Sequence, residues 1–180
     1  MAEETRDQVG AADSVRAFRF DSDGEIPNNV LPLLVYPAAV ELSGADPAAA
    51  FERVFASNGW GGSWRDGIFS YPHYHSTAHE VLGIARGEAK VRFGGAGGAV
   101  LTVGPGDVVV IPAGVGHQNL GASADLLVVG AYPGGSEVDL KRGGAAERSA
   151  VEASIAGVPL PAADPVHGAD GPLLHYWRGA

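Results

Sequence analysis

The sequence contains no cysteine, which excludes disulfide bonds and thiolate ligands, so any bound metal ion must be held by nitrogen and oxygen atoms. Basic residues are also few: 12 lysines and arginines stand against 21 aspartates and glutamates, giving a net charge of -9. A protein of that charge repels nucleic acids and anionic membranes, so we expect neither as a partner. The acidic start resembles no signal peptide and no run is long and apolar enough to span a membrane, which favours a cytoplasmic protein.

Glycine and proline are abundant instead, with 27 and 12 residues, while hydrophobic residues still make up 46% of the 180. This mixture is typical of many short strands joined by tight turns. From Gly67 onward, short apolar or alternating runs recur between glycine-rich turns. The predicted strands are Glu80–Ala85, Ala89–Phe93, Ala99–Val103, Val108–Ile111 and Leu126–Ala131. Since no internal repeat is visible, we expect a single all-β barrel.

The residues before this region predict few regular elements. Residues 1–13 lack periodicity and are expected to form a flexible tail, whereas residues 15–20 alternate like a strand. Leu33–Tyr36 is a short apolar run between two prolines, which predicts an edge strand at best. A single barrel leaves strand edges open, so we expect a homodimer formed through an N-terminal strand.

One short helix is predicted in the N-terminal part of the chain. It starts at Asp46-Pro47, an N-cap followed by proline at the first helical position, and stops at Asn58-Gly59. Its apolar residues share one face, so the helix is expected to pack outside the barrel. After Pro133 the chain is rich in glycine and proline, which predicts a loop-rich C-terminal tail with at most a short helix near residues 147–154.

Histidines and one glutamate cluster at residues 73 to 80. His73 and His75 are separated by one residue, so on a strand both imidazoles point to the same face. Glu80 begins the next predicted strand, and a tight turn after His75 brings its carboxylate beside the two rings. His117 follows a stiff turn at residues 112–116, which can direct its side chain toward the same pocket. The spacing therefore predicts a three-ligand site with His117 facing it.

These residues stand at the fixed positions of two motifs that resemble those of the cupin superfamily. The first motif is matched by Gly67, His73, His75, Glu80 and Gly87, and the second by Gly106, Pro112, Gly114 and His117. One departure is visible, because the asparagine often found four residues after the second motif's histidine would fall at Gly121, and the nearest is Asn119. That asparagine is not a ligand in the family, so the departure concerns only the end of the motif.

A wider resemblance links the chain to the YjlB-like single-domain bacterial cupins. The matching runs are Ile26–Asn29, Asn58–Trp60, His73–Glu80 and Gly130–Pro133. The resemblance implies a double-stranded β-helix, or jelly-roll barrel. The whole of residues 14–180 is then one cupin domain, with a metal-binding barrel core at about residues 60–135.

The resemblance also implies that His73, His75, Glu80 and His117 bind one divalent transition metal ion inside the barrel mouth. Fe²⁺ is the first expectation, with Mn²⁺, Ni²⁺, Cu²⁺ or Zn²⁺ as alternatives, since imidazole and carboxylate ligands suit all of them. A six-coordinate ion with these ligands keeps two positions for other molecules. We therefore expect a small anionic or chelating organic substrate.

Two further residues beside the motif are candidate catalytic groups. The Tyr71 phenol can donate a proton or a hydrogen bond to a bound substrate, and His79 can act from behind the ligands. His79 neighbours Glu80 on the strand and should point away from it. Tyr74 is expected to alternate away from the pocket and to pack.

Aromatic residues precede the first motif and leave two interpretations open. Arg65 stands between Trp64 and the motif, and an arginine beside aromatic rings can clamp a substrate carboxylate. The tryptophans Trp60 and Trp64 are better explained by core and turn packing.

Three classes of function remain open. A dioxygenase-like oxidoreductase needs a redox metal, whereas an isomerase, lyase or decarboxylase needs a nearby group that moves a proton. A non-catalytic small-molecule or metal-binding protein would be expected to carry a regulatory domain, and none is expected here. The four-ligand set favours the enzymes. The frequency of oxygen chemistry among cupins with this set places the dioxygenase first.

Overall fold

The computed structural model describes residues 14–145 and 148–180, and the tail predicted at residues 1–13 lies outside the described residues. The strands are β1 (Arg16–Phe20), β2 (Asn29–Tyr36), β3 (Trp60–Asp66), β4 (Glu80–Arg86), β5 (Ala89–Phe93), β6 (Ala99–Val103), β7 (Val108–Ile111), β8 (His117–Ala122) and β9 (Leu127–Pro133). The helices are α1 (Pro47–Ser57), α2 (Arg148–Ala156) and α3 (Pro172–Arg178). No helix in the described ranges is long and apolar enough to cross a membrane.

The strands form two antiparallel sheets that face each other. The larger sheet has six strands in the order β1-β2-β7-β4-β9-β3, and the smaller has three in the order β6-β5-β8. Inward side chains of both sheets share one apolar core, in which Leu82 and Ile84 of β4 pack with Val91 and Phe93 of β5. This arrangement confirms the predicted all-β jelly-roll.

The outer face of the larger sheet is buried as well, under α1 and α3. Val81 and Ala85 of β4 share a core on this side with Phe51 and Phe55 of α1. Gly83 lies directly under the Phe51 ring, where an added Cβ would come within 2.3 Å of a ring carbon. Because both faces are covered, the central strands β4 and β7 are nearly continuous apolar runs rather than alternating ones.

β2 is not the edge strand that its flanking prolines predicted, and that prediction was wrong. The strand lies between β1 and β7, and its pairing with β7 begins at Leu34. Pro32 falls at an irregularity of the β1 pairing, between the partners of Phe18 and Phe20, so its missing N–H removes no regular ladder bond. Its carbonyl accepts a hydrogen bond from Trp177 Nε1 at 2.9 Å.

The sequence pattern did not predict three elements: β3, β8 and α3. β3 contains two adjacent glycines and β8 is polar along most of its length, so neither shows the expected apolar pattern. α2 lies close to the helix predicted near residues 147–154, but the tail also contains α3, which the expectation of at most one short helix missed. Leu173 and Trp177 of α3 are buried in the core under the larger sheet.

Asp164 anchors the loop that precedes α3, and its side chain is fully buried. Its Oδ2 atom accepts hydrogen bonds from the Tyr36 hydroxyl at 2.6 Å and from the Leu173 N–H at 2.9 Å. Its Oδ1 atom accepts from the N–H groups of Val166 and His167 at 2.8 and 2.9 Å. One carboxylate thus joins β2, the loop and the first turn of α3.

Replacing Asp164 with alanine should lower the free energy of unfolding by about 3 kcal/mol, because buried donors lose their acceptor. A loss of that size lowers Tm by roughly 6–12 °C in a domain of this length, which calorimetry measures. Asp170→Ala, at an exposed acid of the same segment, is the control and should change Tm by less than about 2 °C. Equal melting of the two variants would contradict the anchoring role of Asp164.

Candidate metal centre

The structure brings together the four side chains singled out by the two motifs. Ligand-forming nitrogens of His73, His75 and His117 lie within 4.8 Å of one another. The Glu80 carboxylate faces two of these rings, with Oε2 at 3.4 Å from His75 Nε2 and Oε1 at 3.3 Å from His117 Nε2. All four residues are at most 9% exposed. The three histidine nitrogens therefore form one buried cluster, and the Glu80 carboxylate lies against two of its members.

Backbone hydrogen bonds hold the two motif segments side by side. The His73 N–H donates to the His117 carbonyl at 3.2 Å, and the His117 N–H donates back to the His73 carbonyl at 2.9 Å. The Gly114 N–H donates to the His75 carbonyl at 2.7 Å. Gly114 has φ +89°, and a Cβ there would come within 2.5 Å of the Asn28 carbonyl, so only glycine suits this turn.

Each imidazole is oriented by a backbone carbonyl. The Nδ1 atoms lie 3.1 Å from the Tyr71 carbonyl for His73, 2.5 Å from the Asp139 carbonyl for His75 and 3.2 Å from the Val115 carbonyl for His117. Because a carbonyl oxygen only accepts, the proton of each neutral ring belongs on Nδ1. Nε2 is then the ring nitrogen that can bind a cation once it carries no proton, which is the usual arrangement for histidine ligands.

The protonation states of the site suit a cation. Burial, together with the neighbouring His117, lowers the pKa of His73 to about 3, so the His73 ring is neutral at pH 7. Burial alone would raise the pKa of Glu80, but hydrogen bonds from His117 and His75 outweigh it and keep the carboxyl ionised. The pKa of His75 is raised despite burial, because its hydrogen bond to Glu80 favours the charged ring.

The donor set fits a divalent transition metal ion. Lone pairs of imidazole and carboxylate that face each other at 3.3 to 3.4 Å repel unless a proton or a cation lies between them. Three neutral nitrogen ligands and one carboxylate oxygen are the donors that such ions prefer. Metal ligation by these residues is therefore consistent with the geometry and with the charge of the site.

A cavity of about 350 Å³ opens from the converging groups toward solvent. The ligand candidates lie at its base. Its walls are mostly apolar, formed by Trp64, Ile68, Phe69, Leu82, Val138 and Leu140. Sequence reasoning did not find this wall, because it combines β3, β4 and two loops whose relative register was unknown.

Tyr132 is a polar residue of the cavity to which the sequence assigned no role. Trp64 Nε1 donates a hydrogen bond to the Tyr132 hydroxyl at 2.7 Å, and that hydroxyl is hydrogen-bonded to Glu80. Burial and the Glu80 charge raise the pKa of Tyr132 well above its ordinary value, so the phenol keeps its proton at neutral pH. Extending the predicted Leu126–Ala131 strand by one residue would have placed Tyr132 on its inward face.

The remaining candidates lie outside the cavity lining. The Tyr71 ring stacks on Phe69 at 4.9 Å and lies under Arg142, whose guanidinium is 3.7 Å from the ring centroid. Tyr74 packs in a separate core beneath α2, away from the pocket as predicted. The catalytic role of Tyr71 stays a prediction.

His79 points to the opposite side of β4 from Glu80, as its position predicts. Its ring packs against Trp177 at 4.6 Å, and its Nδ1 atom accepts a hydrogen bond from the Ala113 N–H at 2.9 Å. Burial lowers the pKa of His79 to about 4. His79 therefore supports the loop behind the ligands as a neutral ring.

Arg65 does not clamp a substrate carboxylate, so that interpretation was wrong. The side chain points away from the barrel and pairs with Asp46 at 3.0 Å and Glu52 at 2.7 Å. Asp46 in turn makes no side-chain cap hydrogen bond to α1. Trp60 packs in the core as expected, whereas Trp64 lines the cavity.

Residues 137–141 form a strap that packs against residues 74–76 and lines part of the cavity. The Asp139 carboxylate accepts hydrogen bonds from the Ser76 N–H at 2.7 Å and the Ser76 hydroxyl at 2.5 Å. The Asp139 carbonyl is the group that orients His75. Lys141, at the end of the strap, pairs with Tyr74, which lies between the two histidines. The N–H of each residue donates to the carbonyl of the other at 2.9 Å. The strap therefore fixes the position of one ligand candidate.

Removing the Asp139 side chain should weaken metal binding without unfolding the protein. We expect Asp139→Ala to raise the Kd for Zn²⁺ by about tenfold, because His75 loses part of its support. Calorimetric titration of the metal-free protein measures this. Glu137→Ala changes an exposed acid of the same strap and should leave the Kd within about twofold of wild type. A Kd for Asp139→Ala equal to that of the control would exclude the positioning role.

Comparisons with known proteins agree with the motifs. A family model described as "Cupin domain" matches residues 66–130. Among solved structures, acireductone dioxygenase of Bacillus anthracis is 19% identical with a TM-score of 0.36, and the match covers 51% of this chain and 61% of that one. An oxalate decarboxylase of Bacillus subtilis is 17% identical with a TM-score of 0.36, covering 68% of this chain and 29% of that one. The uncharacterized protein YjlB of Bacillus subtilis is 45% identical over 163 residues, which are 90% of this chain and 96% of that protein.

Proposed function

The chain belongs to the cupin family as a relative of YjlB, and on that basis we propose that it is a metal-dependent enzyme acting on a small chelating organic compound. The observation that carries this proposal is a cluster of three histidine nitrogens, with the Glu80 carboxylate against two of the rings, in the lining of an open cavity. Such a site suits a cation, because a bound ion can replace the protons that His75 and His117 share with Glu80.

We propose His73, His75, Glu80 and His117 as the ligands of one divalent transition metal ion. Fe²⁺ is the first candidate, with Mn²⁺, Ni²⁺, Cu²⁺ and Zn²⁺ as alternatives. A bound ion supplies Lewis-acid activation of chelated oxygen atoms and, when it is a redox metal, electrons for dioxygen chemistry. The protein contributes the fixed ring orientations, the buried negative charge of Glu80 and the shape of the cavity.

A dioxygenase-like oxidoreductase is the first candidate activity. Ile68, Leu82 and Val138 line the cavity beside the candidate ligands, and such apolar side chains favour the exclusion of water once a substrate fills the cavity. Exclusion of water protects reactive oxygen chemistry from side reactions.

We also propose a cytoplasmic location and a homodimer. The two protomers would pair through β1, which is an edge strand of the larger sheet.

An isomerase, lyase or decarboxylase is the second candidate, and the position of Tyr132 favours it. Proton transfer to a chelated substrate needs a group that still holds its proton at neutral pH. Tyr132 fulfils this condition, because burial and Glu80 raise its pKa. The hydrogen bond from Trp64 holds the phenol oxygen in place, and the phenol proton, which faces Glu80, could turn to a substrate bound beside that carboxylate.

Elemental analysis of protein purified without a metal-affinity column tests the site. We expect about one transition-metal ion per chain in the wild type and none in His117→Ala, which removes one ligand and the partner of Glu80 Oε1. His175→Ala, at an exposed histidine of α3, is the control and should keep its metal. Iron or copper would direct screening to oxygen consumption, and zinc, nickel or manganese to proton-transfer chemistry. Retention of metal by His117→Ala would overturn the ligand assignment.

Tyr132→Phe separates the two candidate activities once a substrate is found. The ring and its packing are kept, but the proton is lost. For a proton-transfer reaction, kcat should fall by about a hundredfold while the metal content stays unchanged. For oxygen consumption, kcat should change by less than about threefold, since the phenol then only supports Glu80. Full proton-transfer activity in the variant would exclude Tyr132 as the donor.

A further inference from the structure

The cavity above the candidate ligands has a continuous apolar wall that reaches solvent. Leu82 lies on the same face of β4 as Glu80 and is only 2% exposed, so the wall begins beside the ligands. At the outer end, Phe69 is 50% exposed and Leu140 is 46% exposed. Large apolar side chains left open to water at a cavity rim mark a ligand-binding surface. The exposed apolar surface of Phe69 and Leu140 would therefore be shielded from water when a ligand covers it.

The charge of the cavity restricts the ligand further. None of the cavity-lining residues in the described parts of the chain is a lysine or an arginine. Two acids, Asp66 and Asp139, lie along the cavity in addition to Glu80. The nearby Arg65 is turned to the outer surface, where Asp46 and Glu52 neutralise it. A carboxylate or phosphate on the distal part of a ligand would therefore meet the two acids, and no basic side chain of the cavity lining would offset them.

We infer that the site takes a compound with two adjacent oxygen donors at one end and an uncharged apolar body at the other. The inference rests on the proposed metal site, which receives the oxygen donors. The body is an aromatic ring or a short alkyl chain that lies along Leu82, Phe69 and Leu140. A cavity of about 350 Å³ is near the lower end of the sizes that hold small organic ligands, which restricts the body to about one ring.

The aromatic members of the wall favour a flat body over a branched one. The Phe69 ring stacks on Tyr71 at 4.9 Å and meets the edge of His73 at 5.2 Å, so its plane is held beside the ligand segment. Trp64 is fixed on the other side by its hydrogen bond to Tyr132. Aromatic surfaces held in place offer stacking contacts to a ring at little entropic cost.

A series of hydroxamates with one chelating group and different bodies tests the inference on the Zn²⁺-loaded protein. Calorimetry should show benzohydroxamate binding about tenfold more tightly than acetohydroxamate, because the ring covers the apolar wall. 4-Carboxybenzohydroxamate should bind at least about threefold more weakly than benzohydroxamate, because its distal charge lies beside the acids. Equal affinities for the acetyl and benzoyl compounds, or tightest binding of the carboxylate, would overturn the inference.

A matched pair of leucine variants locates the effect in the cavity. Leu140→Ala removes part of the rim and should reduce the preference for benzohydroxamate over acetohydroxamate by at least about threefold. Leu160→Ala changes a leucine of nearly the same exposure, 45%, that does not line the cavity, and should keep the full preference. An equal preference in the two variants would place the apolar contact elsewhere and contradict the inference.

The same titrations separate failure of the inference from failure of the proposed metal site. If neither hydroxamate binds the Zn²⁺-treated wild type, or if His117→Ala binds both as well as the wild type, the metal site is wrong and the inference falls with it. If acetohydroxamate binds only when His117 is present but the ring brings no gain, the metal site stands and the apolar-body inference alone is refuted.

Discussion

Two reciprocal backbone hydrogen bonds between His73 and His117 are the contact on which the candidate site depends. They join segments that lie 44 positions apart in the printed sequence and set the distance between the imidazoles that these segments carry. The buried Asn28 supports this contact from behind, since its side chain accepts from the Gly116 N–H and donates to the Gly94 carbonyl. The Ile26–Asn29 run, which resembles other cupins, thus acts through the backbone of the site and not as a ligand.

The candidate ligands could be predicted because their arrangement is local. One intervening residue places His73 and His75 on one side of a strand, and a short turn returns the chain to Glu80. The strands β5, β6 and β7 could also be predicted, since burial on one or both faces gives each a clear apolar pattern. These features need no knowledge of distant parts of the chain.

The rest of the site depends on contacts that sequence patterns do not encode. Tyr132 and Trp64 meet because β9 pairs with β3 across an irregular register, which no run of apolar residues indicates. β3 was not predicted because its two glycines interrupt the apolar pattern. The cavity wall is formed by residues of β3, of a loop and of the strap, which are far apart in the sequence. The wrong prediction that β2 is an edge strand has a similar origin. Pro32 is tolerated at an irregularity in the pairing of β1 with β2, and such an irregularity cannot be recognised from the sequence of one strand alone.

The strap has a consequence for when the site can form. The carbonyl that orients His75 belongs to Asp139, which lies 64 residues further along the chain. A nascent chain that has passed His117 already contains all four candidate ligands, yet His75 has no fixed orientation until the strap has been synthesised and has docked. Closing so long a loop is a non-local step, and it follows the local pairing of strands during folding. On the proposed function, a metal ion would therefore meet a fully oriented His75 only after the strap has docked on the barrel.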